Sequence, residues 1–210
     1  MRYIEAMYVE WRRILDTGTR RGQKAFRTLE AQTRLMRWYE PVLIPGILHT
    51  AEYAEAVMRR LIDFYQIPDD VDVGVAARME RQHAPYNGDH RFHFIVVEQA
   101  LRTTVGDTGV MIGQLDRLLV VMSLSRVIVG IIPANSEYRV PTNQFIMFDN
   151  RLVHVETISA ELTISQPREI ALNNKTFAEL ATQAVTGSAA RGLITTALDH
   201  LRPATGFDRS

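Results

Sequence analysis

Phe94-Ile-Val-Val97 and Arg126-Val-Ile-Val-Gly-Ile-Ile132 bracket a stretch in which Met111, Leu115, Leu118, Leu119 and Met122 recur at helical spacing. The two short apolar runs read as buried strands, and the stripe between them as a helix capped by Asp107 or Thr108. A strand–helix–strand unit usually forms a right-handed parallel crossover. Towards the C-terminus, three more strand patterns at 144–148, 152–157 and 160–164 follow at hairpin spacing, with Asp149-Asn150 and Ser159 near the turns. Helices at 176–185 and 188–201 close the chain, and 203–210 reads as a frayed tail.

Towards the N-terminus the spacing predicts helices. Ile4, Met7, Tyr8, Trp11, Ile14 and Leu15 share one face, and a second helix fits 23–38 with Phe26, Leu29, Thr33 and Met36 inward. Pro41, Pro45 and Gly46 force a loop. Thr50 caps a third helix that shows Ala54, Val57, Met58, Leu61, Ile62 and Tyr65 as a stripe. A fourth helix runs from Pro68 to about Ala84. These elements predict an α+β fold: N-terminal helices, then a mixed, mostly antiparallel sheet of about five strands with one strand–helix–strand crossover, closed by two helices. Residues 1–25 form a helical extension in this reading, and 26–202 a single α+β domain.

The 210 residues are 46% hydrophobic and 23% charged, enough to bury a core. Basic and acidic side chains number 24 each, which argues against nucleic acid as a partner. Without cysteine there is no disulfide framework, thiol nucleophile or cysteine-ligated metal, which fits a cytoplasmic setting. Neither a signal peptide nor an apolar run of spanning length is recognisable, so no membrane contact is expected. Only Lys24 and Lys175 are lysines, a bias that suggests a GC-rich genome.

The fingerprints of hydrolases, kinases, dehydrogenases and zinc proteases are missing, and neither a metal nor a cofactor is expected. His83, His90 and His93 lie close in sequence, with His93 near Glu98, but the loop between the first two favours solvated imidazoles over ligands. His154 and Glu156 share a strand face and read either as an acid–base pair or as a wet face. Arg78, Arg81 and Gln82 sit on adjacent helical turns. They either hold a carboxylate, enolate or phosphate, or pair internally with Glu80 and Glu98. The block from Trp38 to Ala54 is a rigid apolar loop feeding a capped helix. It either binds an anion or enolate near His49 and Tyr53, or clamps the N-terminal helices to the sheet. A mostly apolar pocket is expected between sheet and helices, lined by Trp38, Leu48, Phe94 and Met147. Its polar groups are His49, Tyr53, Arg78, Gln82 and Glu98, of which His49, Tyr53 and Glu98 are the candidate catalytic residues.

Glu40-Pro41, Pro45-Gly46-Ile47-Leu48-His49-Thr50 and Tyr53-Ala54 resemble the ordered motifs of an actinobacterial domain of unknown function. That domain usually follows an Xre-type helix-turn-helix in streptomycete-type transcription regulators. Arg78-Met79-Glu80-Arg81-Gln82, Glu98-Gln99-Ala100-Leu101-Arg102, Gln114-Leu115, Ile131-Ile132-Pro133, Phe145, Val155-Glu156 and Phe177 to Leu180 continue the resemblance over roughly residues 26–195. His49 stands where the family usually has glutamine, and a titratable imidazole is a better acid or base than an amide. Residues 1–25 leave no room for the DNA-binding bundle, so a stand-alone copy is expected.

The resemblance implies a regulator-derived small-molecule-binding domain. One expectation is a cofactor-independent cyclase or isomerase acting on a hydrophobic, polyketide-like metabolite of antibiotic biosynthesis, because cyclisation needs shape and a hydrogen-bond donor rather than a metal. The other is a regulatory module without DNA contact that senses a metabolite or binds a small partner protein. A homodimer is compatible with both.

Overall fold

The computed structural model describes residues 7–10, 28–86 and 89–202. Its regular elements are strands β1 (Met7–Glu10) and β2 (Leu35–Glu40), helices α1 (Ala51–Tyr65) and α2 (Val71–Arg81), strand β3 (Arg91–Val97), helix α3 (Thr108–Val121), strands β4 (Val127–Ile132), β5 (Phe145–Phe148), β6 (Leu152–Glu156) and β7 (Ala160–Ile164), and helices α4 (Pro167–Gln183) and α5 (Gly187–Leu201). A helical turn at 28–31 precedes β2. The class is α+β.

The described strands form one mixed sheet in the order β1-β7-β6-β5-β2-β3-β4. β2, β3 and β4 are parallel neighbours, and the other four pairings are antiparallel. Two crossovers therefore exist where the sequence predicts one: α1 and α2 join β2 to β3, and α3 joins β3 to β4.

The sheet has seven described strands rather than five, because two segments expected as helix are strands. Leu35 to Glu40 belongs to the predicted second helix. In that segment Met36 and Trp38 point to one face and Arg37 and Tyr39 to the other, the alternation of a strand. The inward positions Leu29, Thr33 and Met36 also fit a helical period, so the pattern is ambiguous. Pairing on both sides decides it: Leu35 opposes Arg91 on β3, and Met36 opposes Phe148 on β5. The helical turn ends before this point, and the Thr33 hydroxyl donates to the Leu29 carbonyl at 2.6 Å. Met7 to Glu10, also expected as helix, pairs antiparallel with β7 and belongs to the same sheet, so it is no separate helical extension. The remainder of the two expected N-terminal helices, at 1–6, 11–15 and 23–27, and the tail at 203–210 lie outside the described residues.

The other boundaries follow local chemistry. The Thr50 hydroxyl accepts from the Tyr53 amide at 3.2 Å and caps α1. Asp107 accepts from the Val110 amide at 2.9 Å and caps α3. α4 begins nine residues before its expected start at 176, at Pro167, whose fixed φ suits a first helical position.

Both faces of the sheet are covered. On the first face Met36, Trp38, Phe92, Phe94, Val129 and Ile146 meet Tyr53 of α1, Leu115 and Leu118 of α3, and Ile194 of α5. On the second face Tyr39, Ile95, Phe145 and Met147 meet Phe177 and Leu180 of α4. Gly130 admits the α4–α5 junction: a Cβ there would lie 2.9 Å from the Ala184 Cβ, and the next residue, Ile131, exchanges two backbone hydrogen bonds with Val185.

Leu118 is 0% exposed, while Leu119 is only partly buried. Leu118→Ala is expected to cost about 2–5 kcal/mol in reversible denaturation, and Leu119→Ala clearly less.

Candidate functional site

β2 stops where Pro41 cannot extend the ladder, and the chain then runs from 41 to 50 with one short 3₁₀ turn, Gly46–Leu48. Ile47 and Leu48 anchor this loop in the core. A buried loop must find partners for its own backbone, and here side chains supply them. Gln114, on the inner face of α3 and 0% exposed, grips two groups at once. Its Nε2 donates to the Leu48 carbonyl at 2.9 Å, and its Oε1 accepts from the Thr50 amide at 2.8 Å. The Gln82 amide donates to the His49 carbonyl. The Ile44 amide donates to the Tyr53 hydroxyl at 3.4 Å.

His49 completes the clamp. It is 2% exposed, and its Nε2 lies 2.7 Å from the Ile44 carbonyl. A carbonyl only accepts, so Nε2 carries the hydrogen and Nδ1 presents a lone pair. That lone pair faces Nη1 of Arg78 at 3.3 Å. Burial, and then the positive charge of Arg78, hold the imidazole well below its ordinary pKa. His49 is thus a neutral core histidine with both nitrogens engaged.

Beside the clamp, the carboxyl ends of β2 and β6 gather acidic side chains into a polar rim. β2 and β6 are each antiparallel to β5, so they run the same way and deliver Glu40 and Glu156 to one edge of the sheet. The register through Trp38, Ile146 and His154 also puts them on one face. Burial pushes the Glu40 carboxyl up to about 7, although the amides of Val42 and Leu43 donate to it. Burial also raises Glu156, against the pull of Arg78 and Arg81. Glu156 is nevertheless exposed at the strand end, so its desolvation is partial. Glu161 lies directly opposite it on β7 and is raised by burial and by Glu156. The Tyr53 hydroxyl is raised to about 12 by burial and by Glu40, and Tyr65 is raised by burial and by Glu156.

The two arginines of α2 have different fates. Arg81 makes a buried bidentate pair with Glu30, at 2.9 and 2.5 Å. Arg78 makes no ion pair among the described residues. Its Nη1 meets the neutral His49, and its Nε is buried without a hydrogen-bond partner. Burial and Arg81 lower it to about 10, while Glu156 pulls it up.

His154 sits deeper on the same face, between Thr163 at 3.2 Å and Glu161 at 3.5 Å. Burial pushes it down to about 4. It is a packed polar neighbour of the rim and not a wet-face residue.

Of the residues expected to share a site, His49, Tyr53, Arg78 and Gln82 do converge, around the loop. Trp38, Leu48 and Phe94 join Tyr53 in one buried cluster, which fills the space expected to be an apolar pocket. Met147 lies on the opposite face of the sheet, because Trp38 pairs with Ile146 and the next residue points away. Glu98 is also elsewhere. It opens a short turn after β3, accepts from the Ala134 amide at 3.0 Å and pairs with Arg102 at 3.1 Å. The Ala134 amide, helped by Arg102, holds Glu98 below the ordinary carboxylate range. The histidines at 90 and 93 are separate too: His90 bonds the Thr33 carbonyl, and His93 packs its edge on Phe177.

Two hollows lie away from this rim. One of ≈ 160 Å³ borders the Glu30–Arg81 pair, and one of ≈ 530 Å³ lies along the C-terminal part of α1. Sequence reasoning gives Gln114 and Glu40 no role in the site, although both fall in motifs that carry the family resemblance. Gln114 has a further visible signal, being a lone amide one turn from Met111 and Leu118 on an apolar stripe. Glu40 has none beyond its place in the Glu40-Pro41 motif.

Two expectations test these assignments. His49→Gln keeps a donor for the Ile44 carbonyl and should change stability by under about 1 kcal/mol, whereas His49→Leu orphans that carbonyl and should cost about 1–3 kcal/mol in urea denaturation. The pH profile tests the buried charges. Unfolded His154 takes up a proton near 6.5 and the folded chain only near 4, so its contribution falls as pH drops through that window. Glu40 has the opposite sign: folded it binds a proton near 7 and unfolded near 4.5, so its contribution falls as pH rises between those values. The two slopes oppose each other in the shared acid range. Denaturation midpoints of Glu40→Gln should therefore climb more steeply with pH than those of the parent, and those of His154→Gln less steeply.

A family model described as "Domain of unknown function (DUF5753)" matches residues 23–196. No curated protein matches the sequence. Among solved structures, the chain is similar to TrmBL2, an archaeal chromatin protein, at 9% identity and a TM-score of 0.42, over 88% of this chain and 56% of that one. The chain thus spans little more than half the length of TrmBL2. It is also similar to NucT from Helicobacter pylori, at 10% identity and 0.44, over 87% and 99% of the two chains. Nuc, a phospholipase D family member from Salmonella typhimurium, gives 9% identity and 0.44 over 87% and 97%. With the match covering most of its length, from the helical turn before β2 into α5, the chain belongs to the DUF5753 family of domains of unknown function.

Proposed function

We propose that this domain is a recognition module for a small polar or amphipathic metabolite, and that the rim formed by α1, α2 and the carboxyl ends of β2 and β6 is the recess that holds it. Arg78 carries the reading. A guanidinium whose Nε is buried without a partner, and which meets a neutral imidazole instead of a carboxylate, is costly to keep. A buried unsatisfied donor loses about 1–3 kcal/mol of stability, and such groups persist where a ligand supplies the missing acceptor. Arg78 would take an anionic or strongly accepting group of the ligand. Glu40 and Glu156 would take its hydroxyl or amine donors. Because Trp38, Leu48 and Phe94 are used by the core, the ligand class moves from wholly apolar towards polar. In this reading the domain senses the metabolite as a regulatory module.

A second reading places chemistry in the same recess. Glu40, with its carboxyl near 7, faces Glu156 and Tyr53, an arrangement tuned for proton transfer at neutral pH. It favours a cofactor-independent isomerase or cyclase acting through Glu40 rather than through His49.

The test is a thermal-shift panel of dicarboxylates, amino acids, amino sugars and sugar phosphates on the parent, Arg78→Met and Glu156→Gln. One class should raise the parent's Tm by several degrees, as roughly 2.7 kcal/mol of linkage at a hundredfold excess over Kd implies. Arg78→Met should abolish the shift and Glu156→Gln reduce it. A flat panel, or a shift that survives both substitutions, overturns the assignment. Conversion of the responding compound by the parent but not by Glu40→Gln would select the catalytic reading.

A further inference from the structure

Helix α1 buries Tyr53, Ala54 and Met58 and leaves apolar side chains bare towards its C-terminal end. Leu61 is 40% exposed and Phe64 is 68% exposed. Together with Arg60 and Asp63 they border the open ≈ 530 Å³ groove. Ile158, 79% exposed, extends the apolar area, because the Tyr65 hydroxyl donates to its carbonyl at 2.6 Å and holds the β6–β7 turn against the helix end.

The charges around this patch are informative. Arg59 is paired within the helix, to Glu55 at 2.8 Å. Its neighbour Arg60 makes no ion pair among the described residues, and neither does Asp63, although the two lie one turn apart on the same helix. An apolar centre with one unpaired cation and one unpaired anion beside it is complementary to its own image. In a two-fold arrangement, if one residue faces another, the reverse contact follows automatically. A two-fold axis crossing the helix near Ile62 sets Arg60 against Asp63 of the second copy and Leu61 against Phe64 of the second copy, each twice. A parallel arrangement would instead set Arg60 against Arg60.

We propose that this face of α1 is an isologous dimer interface, occupied by α1 of a second copy of the chain running antiparallel. Each Phe64 fills the groove beside Leu61 of the other copy, and two Arg60–Asp63 pairs fix the register. A 15-residue helix is about 22 Å long, so one helix face with the adjoining turn reaches only the low end of the roughly 1,200–2,000 Å² of a stable interface. The dimer should therefore dissociate in the micromolar range. The inference is independent of the ligand reading, since Arg60, Leu61, Asp63 and Phe64 are not among the groups proposed to hold the ligand.

Sedimentation velocity of the full chain across the micromolar range tests it, with thermal melts to show that each variant is folded. The parent should shift from monomer to dimer with concentration. Phe64→Asp should be monomeric throughout. Arg60→Asp and Asp63→Arg should each weaken association at least about tenfold, and the double substitution should restore it, because the pair is rebuilt between copies. A parent that stays monomeric, a dimer indifferent to Phe64→Asp, or a double variant as weak as the singles would each overturn the proposal.

Discussion

A stretch of chain buried without regular secondary structure has to satisfy its own amides and carbonyls, and the loop from 41 to 50 does so almost entirely through side chains. Gln114 bonds the Leu48 carbonyl and the Thr50 amide, Gln82 the His49 carbonyl, and His49 the Ile44 carbonyl. These donors come from α3, α2 and the loop itself, so three elements distant in sequence are locked to one backbone. Thr50 then starts α1 in a fixed direction, and α1 carries Tyr53 and Tyr65 to the recess. The ordered motifs of the family fall on this clamp. Pro45 to Thr50, Arg78 to Gln82 and Gln114 are far apart in sequence and meet around one loop, which gives their joint presence a physical reason.

The clamp also explains the charge distribution. α2 brings two guanidiniums into a poorly solvated region. Arg81 is neutralised by Glu30, whose carboxylate meets it through two bonds. Among the described residues no second carboxylate approaches Arg78 as closely, and of the carboxyls on the sheet rim Glu40 is the most strongly shifted by burial. Opposed Glu156 and Glu161 on neighbouring strands repel when both are ionised, a modest cost that a bound cationic or donor group would relieve. Arg37 and Arg117 also bury an Nε without a partner, but their other guanidinium nitrogens bond side-chain or backbone oxygens, whereas Arg78 meets only an imidazole. Local disagreement of this kind is where function is expected.

Much of the fold is legible in the sequence because period and caps agree. Thr50 and Asp107 mark two helix starts, the stripe of Met111, Leu115 and Leu118 faces the sheet, and β4 to β7 follow their apolar runs. β2 is not legible in the same way. Leu29, Thr33 and Met36 satisfy a helical period by coincidence, and only pairing with β3 and β5 removes the ambiguity. The site is legible on helices and misread on strands. Arg78 and Gln82 share a helical face whatever the rest of the chain does. Whether Met147 or Ile146 faces α1 and α3 depends on register, and a shift of one residue reverses the answer. Glu98 was misplaced for a related reason: the chain turns immediately after β3 and sends its carboxylate to Ala134.

The tautomer of His49 links the structural and functional halves of the molecule. With its hydrogen committed to Ile44, the imidazole can offer Arg78 only a lone pair. That contact fixes the direction of the guanidinium without neutralising it, as a carboxylate would. Glutamine, the residue the family resemblance places at this position, could donate to the same carbonyl and turn its amide oxygen towards Arg78. Imidazole and amide would then do the same work: each holds the loop and each leaves the positive charge available. Titration of His49 is dispensable on this argument, since protonating Nδ1 would set a second cation against Arg78 and release it from the orientation that makes the recess a site.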